Sequence, residues 1–438
     1  MVANTARVSL WGNPVGALVW DDEKRIGSFE YFPEFIGGGL EIAPLMMPLS
    51  AGTIYTFPGL NPDVYKKGLP ACLSDSLPDD FGNALIDAWL AREGRDKASF
   101  SSVERLLYTG HRAMGALEYD PAINGGSRQS VPVELESLVK LAGEVLSDRE
   151  SFTARLSGGS TSPQERDAMH RLFQIGTSAG GARPKAVIAM NERGDIRSGQ
   201  VPAPEGFTHW LLKFDVDKGA SSLGDPLGFG RIEYAYSELV KLAGIDMTEC
   251  RLIQENERAH FCTRRFDRTD EGEKFHVQTL CALAHADFTK PGAFSYEEGF
   301  QVLRRLKLAR ADAIEFYRRM VFNVMGCNND DHTKNFSASM DQTGEWVLSP
   351  AYDVAWSYRA DSPWVSSHQM SINGKREGFT LADLREVAKQ IGRFNPEPVI
   401  EQVREAIKLW PEHAAAAGVR EEVIFGISRT QLLDLKAR

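Results

Sequence analysis

The chain has 438 residues, of which 42% are hydrophobic and 25% are charged, and its formal net charge is −10. This length allows two or three domains with sizeable cores, and the composition excludes a disordered or fibrous chain. The acidic balance argues against tight binding of nucleic acid through the overall field of the chain. The sequence has neither a run of about 18 apolar residues nor a secretion pattern, which predicts a cytoplasmic protein that does not cross a membrane.

The pattern of predicted elements changes twice along the chain. Residues 5 to 60 alternate apolar and polar positions between Gly and Pro, which predicts short strands and turns. Between about 170 and 270, one helical segment (RIEYAYSELVKLAG) accompanies three strand-like segments, KAVIAM, THWLLKFDV and AHFCTRRFDR. From about 275 onward the periodicity is almost entirely helical, apart from a polar cluster and the segment WVLSPAYDVAWS. The sequence therefore predicts an α+β protein with a small β-rich domain, a mixed lobe and a helical lobe.

The polar cluster NNDDHTKN, at residues 328–335, interrupts the helical part. The segment before it, from Asp312 onward, predicts a buried helix whose apolar stripe consists of Ile314, Tyr317, Val321, Val324 and Met325. Two acids, a His, a Lys and several amides at the end of such a helix carry a large desolvation cost, and clusters of this kind usually lie at a cleft. The alternative is that Asn-Asn-Asp-Asp only caps the helix and turns the chain.

Three residues in and after this cluster have the spacing of a phosphoryl-transfer site. Asp330 and Asn335 are five positions apart, as are the catalytic Asp and the metal-binding Asn in the kinase motif HRDxxxxN. Asp353 follows a short strand, where kinases place a second Asp that binds Mg²⁺. Lys334 could neutralise the transferred phosphate. Any one of these residues alone could be incidental, but together they predict a catalytic loop.

Lys213 lies inside the apolar strand HWLLKFD, where an ammonium group is costly to bury unless it meets an anion. Glu233, in the following helix, is at a suitable distance along the chain to pair with it. In protein kinases a strand Lys that is paired with a helix Glu holds the α- and β-phosphates of ATP. A lysine that snorkels from an edge strand is the alternative. Upstream, the small-residue loop in IGTSAGGARPK predicts a polyphosphate cradle with added charge from Arg183 or Lys185, or else a flexible hairpin.

In this order the motifs resemble the HipA family of bacterial toxin–antitoxin Ser/Thr kinases, and the resemblance covers nearly the whole chain. FEYFPEFIGGGLEIAPLMMPLS and GLPACLSDSLPDDFG are similar to the family's N-terminal subdomain, and HFCTRRFDR is similar to its strand before the hinge. DDHTKNFS and SPAYDV are similar to its catalytic and metal-binding segments. The resemblance implies a protein-kinase-like two-lobed fold. It assigns residues 1–120 to a β-rich N-terminal subdomain, 121–267 to the kinase N-lobe and 268–438 to the helical C-lobe.

The resemblance also implies cofactors, partners and residue roles. It implies ATP and Mg²⁺ as cofactors and a protein substrate such as an aminoacyl-tRNA synthetase. It also implies a helix-turn-helix antitoxin as partner, and the chain would contact DNA only indirectly, through this antitoxin. Asp330 would be the catalytic acid, Asn335 and Asp353 the metal ligands, and Ser178 the loop serine whose autophosphorylation inactivates the kinase. The backbone of Arg264 and Phe266 would meet adenine, Asp267 would lie near the ribose, and Lys213, partnered by Glu233, would contact the phosphates. The full implied nucleotide-binding set is Gly180, Gly181, Ala182, Arg183, Lys185, Lys213, Arg264, Arg265, Phe266, Asp267, His332, Lys334 and Tyr352.

Three other functions are alternatives for this sequence. A small-molecule phosphotransferase of the antibiotic-kinase type would need the same Lys, Asp, Asn and Asp, but it would not need the N-terminal domain. A non-catalytic partner that only tightens an antitoxin on DNA would not need intact Asp330, Asn335 and Asp353. A two-metal phosphohydrolase would need further His and acid ligands beside Asp-Asp-His.

Overall fold

The structure is a computed structural model of the chain. It describes residues 4–65, 68–78, 82–83, 86–87, 90, 94–96, 99–123, 130–136, 138–139, 183–215 and 228–436. Within these ranges the strands form three antiparallel sheets.

The first sheet is built from the alternating N-terminal segment. Its spatial order is β4-β3-β2-β1-β5, from strands β1 Thr5–Leu10, β2 Asn13–Asp21, β3 Ile26–Tyr31, β4 Ile54–Tyr55 and β5 Leu117–Asp120. Trp11 and Gly12 join β1 to β2 with φ angles of 50° and 77°, the left-handed pair that a two-residue hairpin requires. The helices whose bounds lie within the described ranges here are α1 Pro33–Gly38, α2 Ala71–Ser74 and α3 Ser102–Thr109. Val8, Phe29 and Leu107 share the core between sheet and helices.

The second sheet contains the three strand segments predicted in the middle of the chain. Its order is β7-β6-β8-β10-β9, from β6 Lys185–Asn191, β7 Ile196–Ser198, β8 Phe207–Lys213, β9 Cys250–Glu255 and β10 Arg258–Arg264. Helix α4, Phe229–Leu242, packs on this sheet. A Cβ at Gly230 would lie 2.1 Å from the carbonyl oxygen of Ala259, so the start of the helix can approach β10 this closely only with glycine. This approach brings Glu233, one turn later, next to Lys213.

The rest of the chain is mainly helical and surrounds one large core. Its helices are α5 Leu280–Ala284, α6 Tyr296–Arg305, α7 Arg310–Gly326, α8 Leu381–Ala388, α9 Glu397–Lys408, α10 Trp410–Ala416 and α11 Glu421–Ser428. Short 3-10 turns cover Thr333–Asn335 and Lys389–Ile391. Helix α7 is the predicted buried helix, since Tyr317, Val321, Val324 and Met325 are completely buried along it. In the described part of the chain, no helix is both long enough and apolar enough to cross a membrane.

A third sheet lies within this helical part and corrects the sequence interpretation. Its strands β11 His276–Thr279, β12 Ser337–Met340 and β13 Trp346–Leu348 pair in the order β11-β12-β13. Of these, the sequence signalled only the last. β12 reads Ser-Ala-Ser-Met, with no β-branched or aromatic residue, and all four of its residues are buried. Tight packing and ladder hydrogen bonds therefore fix this strand against its weak intrinsic preference.

The N-terminal sheet is bonded to the helical part through β11. The Asp75 carboxylate accepts hydrogen bonds from Thr279 N at 2.9 Å and from Thr279 Oγ1 at 2.8 Å. His276 Nε2 donates to the carbonyl oxygen of Ile42 at 2.8 Å. Burial raises the pKa of Asp75, and the charge of Lys334 opposes this rise. The N-terminal sheet is thus fixed beside the polar cluster, and the domain boundaries near residues 120 and 267 stay a prediction.

Candidate active site

The end of helix α7 delivers the two adjacent acids of the polar cluster. Cys327 ends the helix in the left-handed region, with φ of 53°, and the chain turns there. Asn328 then donates its Nδ2 to Oδ1 of Asn323, inside the helix, at 2.9 Å. Asp331 is completely buried, whereas the side chain of Asp330 is 44% exposed. Of the two acids, Asp330 is therefore the one that an incoming substrate can reach.

Asn335 and His332 lie beside Asp330. Nδ2 of Asn335 donates to the carbonyl oxygen of Asp330 at 2.8 Å, which leaves its Oδ1 as the atom for a metal ion. Loss of hydration raises the pKa of Asp330 and outweighs the opposing effect of His332, whose Nε2 lies 3.9 Å from Oδ1 of Asp330. The carboxylates of Asp353 and Asp331 add to the rise. A carboxylate with a raised pKa is a stronger base, which suits proton transfer from a hydroxyl.

Lys213 joins the second sheet to the helical part through two carboxylates. Its Nζ lies 2.5 Å from Oε1 of Glu233 and 2.6 Å from Oδ1 of Asp353. Burial would lower the pKa of Lys213, but Asp353 and Glu233 outweigh it and raise this pKa. Burial conversely opposes ionisation of Asp353, yet the charges of Lys213, Lys185 and Arg183 hold its pKa well below the usual range. The site therefore contains a lysinium between two acids, one from each side of the cleft.

Two further cations line the same cleft. Lys185 is buried and is the cross-strand neighbour of Lys213 in the β6–β8 pair. Nη1 of Arg183 lies 4.0 Å from Oε2 of Glu233, and its guanidinium lies over the ring of Phe229. The structure thus brings Arg183, Lys185 and Lys213 together on one side of the carboxylates. Three cations in one cleft can bind a polyphosphate.

The segment after β10 carries the residues implied in adenine binding. The backbone of Arg264 is already engaged, since its N donates to Glu249 O at 2.8 Å and its O accepts from Thr248 Oγ1 at 2.7 Å. The ring of Phe266 stacks on the ring of Tyr352, with centroids 5.6 Å apart and an angle of 23°. In the described part of the chain, no hydrogen bond engages the backbone N or O of Phe266. Of these two backbones, that of Phe266 is the one open to a base.

Asp267 lies in an internal network. It is completely buried, and Arg265 binds it through Nε at 2.8 Å and Nη2 at 2.7 Å. Its Oδ2 also accepts from Gly115 N at 2.7 Å and from Arg268 Nη1 at 2.8 Å. Burial opposes ionisation of Asp267, but Arg265 and Arg268 outweigh it and lower its pKa. In this conformation Asp267 connects the N-terminal sheet to the hinge segment, and a contact with the ribose stays a prediction.

His332, Lys334 and Tyr352 lie around the catalytic loop. The His332 ring packs against the ring of Phe288 at 5.2 Å, and Nζ of Lys334 lies 4.8 Å above the same ring. Tyr352 donates its hydroxyl to the carbonyl oxygen of Lys334 at 2.9 Å. Nδ1 of His332 is buried without a hydrogen-bond partner in the described part of the chain. The loop thus retains a buried polar atom that a bound ligand or water can satisfy.

Three residues that hold Asp331 could not be predicted from the sequence. Its carboxylate accepts from Tyr296 Oη at 2.8 Å, His368 Nδ1 at 2.9 Å and the backbone N of Gln369 at 2.7 Å. His368 is 37 positions away from Asp331, within a polar loop that has no periodic pattern. Only the folded arrangement shows that this loop contacts the acid.

The donor set fits a magnesium ion that is held partly by nucleotide. No group of three or more His, Cys, Asp or Glu side chains capable of holding a metal ion occurs among the described residues. Mg²⁺ in phosphoryl-transfer sites is usually bound by one or two carboxylates, with phosphates and water as the remaining ligands. Asp353, ionised at neutral pH, and Oδ1 of Asn335 supply oxygen ligands of this kind. The chain therefore offers two ligands and leaves the others to the substrate.

Part of the predicted site lies outside the described residues. Ser178, Gly180, Gly181 and Ala182 belong to the small-residue loop that precedes Arg183, and the structure does not describe them. Their predicted roles stay predictions.

The fold is similar to that of a solved toxin structure. HipA of Shewanella oneidensis MR-1, determined in a complex with HipB and its operator DNA, aligns with 97% of this chain and 94% of its own. The TM-score is 0.64 and the sequence identity is 16%. This likeness confirms the predicted class: the chain is a mixed α/β protein with a kinase-like two-lobed fold.

The sequence comparisons identify the family. Residues 6–120 match the HipA N-terminal domain, and residues 177–413, more than half of the chain, match the HipA-like C-terminal domain. This chain belongs to the HipA family. A protein of Sinorhizobium fredii named "Putative kinase Y4dM" is 30% identical over 173 residues, which are 35% of this chain and 39% of that protein. A second one, named "Putative kinase Y4mE", is 28% identical over 125 residues, which are 26% of this chain and 30% of that protein. The chain therefore spans well under two thirds of either relative.

Proposed function

We propose that this chain is an ATP- and Mg²⁺-dependent Ser/Thr protein kinase and the toxin of a HipA/HipB-type toxin–antitoxin pair. The observation that carries the proposal is the contact of Lys213 with both Glu233 and Asp353, at 2.5 and 2.6 Å. A strand lysine, a helix glutamate and a metal-binding aspartate in mutual contact are the groups that kinases use around ATP phosphates. A non-catalytic DNA co-repressor has no use for this buried charge arrangement, which is costly to maintain.

Each residue has a separate task in the proposed reaction. Lys213, kept charged by its two acids, binds and orients the phosphates. Asp353 and Asn335 hold the metal ion, which when bound neutralises charge on the phosphoryl oxygens. The oxygen of the acceptor hydroxyl attacks the γ-phosphorus, and Asp330 accepts the proton of that hydroxyl. The bond between the γ-phosphorus and the ADP oxygen breaks, and ADP leaves with its electrons. The acceptor is proposed to be a Ser or Thr hydroxyl on a translation component such as an aminoacyl-tRNA synthetase.

The direct test uses the purified full chain with γ-labelled ATP. We expect ADP release and transfer of label to protein in the presence of Mg²⁺, and neither when EDTA is added. Label on a small-molecule aminoglycoside but on no protein would instead identify an antibiotic-type phosphotransferase. Absence of both ADP release and label transfer in Mg²⁺ would contradict the proposed activity.

The acidic chain is expected not to bind DNA tightly by itself. Its net charge of −10 repels the phosphate backbone, so any DNA contact should come through a basic helix-turn-helix antitoxin. A gel shift at physiological salt should show a complex with operator DNA only when the antitoxin dimer is added. Nanomolar binding by this chain alone would contradict the expectation.

Ser178 is expected to be the site of self-inactivation. A phosphate adds a charge of about −1.5 to −2, and in an ordered loop it would repel the phosphates of ATP, so the modified loop should leave the cleft. After incubation with Mg²⁺ and ATP, mass spectrometry should find phosphate on Ser178 in the parent and none in Asp330→Ala.

Two variants provide the controls for this assignment. Ser178→Ala should retain sustained activity, and Thr177→Ala, which removes the neighbouring hydroxyl, should still be modified and inactivated. Phosphate only on another residue, or a modified protein with unchanged ATP affinity, would exclude Ser178 as the switch.

A further inference from the structure

The buried acid next to the proposed catalytic one has an unusual environment. Asp331 has no exposed surface, and in the described part of the chain it forms no ion pair with a Lys or Arg. Its three donors are the Tyr296 hydroxyl, His368 Nδ1 and the backbone N of Gln369, at 2.7 to 2.9 Å. Burial, with the Asp331 carboxylate adding to it, raises the pKa of Tyr296, so this hydroxyl keeps its proton and donates. A carboxylate buried without a Lys or Arg partner is costly, and only complete hydrogen bonding offsets that cost.

These bonds connect three parts of the helical lobe. Tyr296 begins helix α6 and is braced by Nδ2 of Asn323 at 3.1 Å, while His368 and Gln369 belong to the segment after Asp353. Asp331 thus holds the catalytic loop to a helix on one side and to residues 357–369 on the other.

Asn329, on the other side of Asp330, is hydrogen-bonded to the same segment. The backbone N of Asn329 donates to Ser357 O at 3.1 Å, and its Nδ2 donates to Val365 O at 3.1 Å. Its carbonyl oxygen accepts from Gln369 N at 3.2 Å. Both neighbours of Asp330 are therefore bonded to residues 357–369.

We propose that Asp331 is a positioning residue for Asp330, and this proposal rests on the proposed kinase function. By accepting from Tyr296, His368 and Gln369 it fixes the backbone on which Asp330 stands. It also fixes residues 357–369 beside the catalytic loop. Misplacement of a catalytic group by about 1 Å can lower a rate by about 10²-fold, so a side chain that never touches substrate can control the rate.

The test is Asp331→Asn in the full chain, which keeps the size of the side chain but replaces one acceptor atom with a donor. The remaining side-chain oxygen can then accept from His368 or from Gln369, but not from both. We expect kcat for ADP release to fall by about 10²-fold, while KM for ATP and the Mg·ATP affinity measured by calorimetry change by less than about threefold. His368→Gln should give a smaller loss. In the double variant, kcat should fall by less than the product of the two single fold-losses, because both substitutions disrupt the same contact.

Asp383→Asn is the matched control for a purely structural effect. Asp383 is also a buried carboxylate of this lobe, and it accepts from Asn373, Lys375 and Thr380 at 2.8 to 2.9 Å. Among the described residues it forms no hydrogen bond or ion pair with the catalytic loop, so its replacement should lower the melting temperature without changing kcat. Equal losses of kcat in the two variants at equal stability would overturn the proposal.

Hydrogen exchange gives a readout that does not depend on activity. The Gln369 amide, bonded to Asp331 and Asn329, should exchange slowly in the parent and at least about tenfold faster in Asp331→Asn, with α7 amides unchanged. Unchanged exchange at Gln369, or a kcat within about twofold of the parent, would refute the positioning role. If the parent itself releases no ADP, the proposed kinase function fails, and the exchange measurement alone decides whether Asp331 holds the segment.

Discussion

Replacing Asp330 with alanine is expected to lower the rate of phosphoryl transfer by about 10²- to 10⁴-fold, the range that a positioned general base contributes. The fold should remain intact, because the Asp330 side chain is 44% exposed and its carbonyl oxygen, not its carboxylate, accepts the hydrogen bond from Asn335. Transfer of label from γ-labelled ATP to protein measures the rate, and thermal denaturation measures stability. The melting temperature should change little.

Asp361→Ala is the control for removing a carboxylate from the same lobe. The Asp361 side chain is 85% exposed and lies on the loop that follows Asp353, so its loss should change neither rate nor stability. Transfer that persists at the parental rate in Asp330→Ala would exclude a base at this position. Asp331 could not then take over the role, because its carboxylate has no exposed surface and its oxygens are engaged.

Much of the chain's architecture could be predicted from its periodicity. Alternating residues predicted strands of the first sheet, and three strand-like segments predicted the central strands of the second. The stripe from Tyr317 to Met325 predicted the buried helix that precedes the polar cluster. β12 could not be predicted, because Ser-Ala-Ser-Met carries no strand signal, and its pairing with β11 depends on contacts up to 64 positions apart, between His276 and Met340. Local sequence patterns report local preferences, and such a strand is fixed by its neighbours instead.

The candidate site, like the fold, could be predicted only in part from the sequence. The order and spacing of Lys213, Glu233, Asp330 and Asp353 were sufficient to expect them in one cleft, and the structure brings them together. The spacing to Asn335 selected Asp330 over Asp331, but the sequence could not show that Asp331 is completely buried while the Asp330 side chain is 44% exposed. The distinction depends on His368 and other donors that arrive from distant segments.

The same reasoning applies at the hinge. The sequence could not show that the carboxylate of Asp267 is turned inward, because Gly115, one of its donors, is 152 positions away. The backbone N–H of that glycine and the two arginines satisfy the acid from inside. A carboxylate that looks available in a motif can therefore be occupied by the protein itself.

Asp353→Asn is expected to lower the Mg²⁺-dependent affinity for ATP by at least about tenfold, since even indirect contacts to a metal change its affinity by 10- to 100-fold. Asp353 is ionised at neutral pH because Lys213, Lys185 and Arg183 outweigh the effect of burial on its pKa, so the substitution removes a full negative charge. Calorimetry with and without Mg²⁺ separates two effects. With EDTA present, the affinity for ATP should fall less or even rise. The Asp353 carboxylate lies 2.6 Å from Nζ of Lys213 and competes with the ATP phosphates for this ammonium group, and the substitution removes that competition.

Asp361→Asn is the matched control for this measurement, since it makes the same chemical change at a side chain that is 85% exposed and pairs with Arg359 instead of Lys213. It should leave ATP affinity unchanged in both Mg²⁺ and EDTA. If Asp353→Asn binds Mg·ATP as tightly as the parent, Asp353 is not a metal ligand, and its contact with Lys213 is only structural. Equal losses of affinity with and without Mg²⁺ would lead to the same conclusion, because a ligand of the metal must act through the metal.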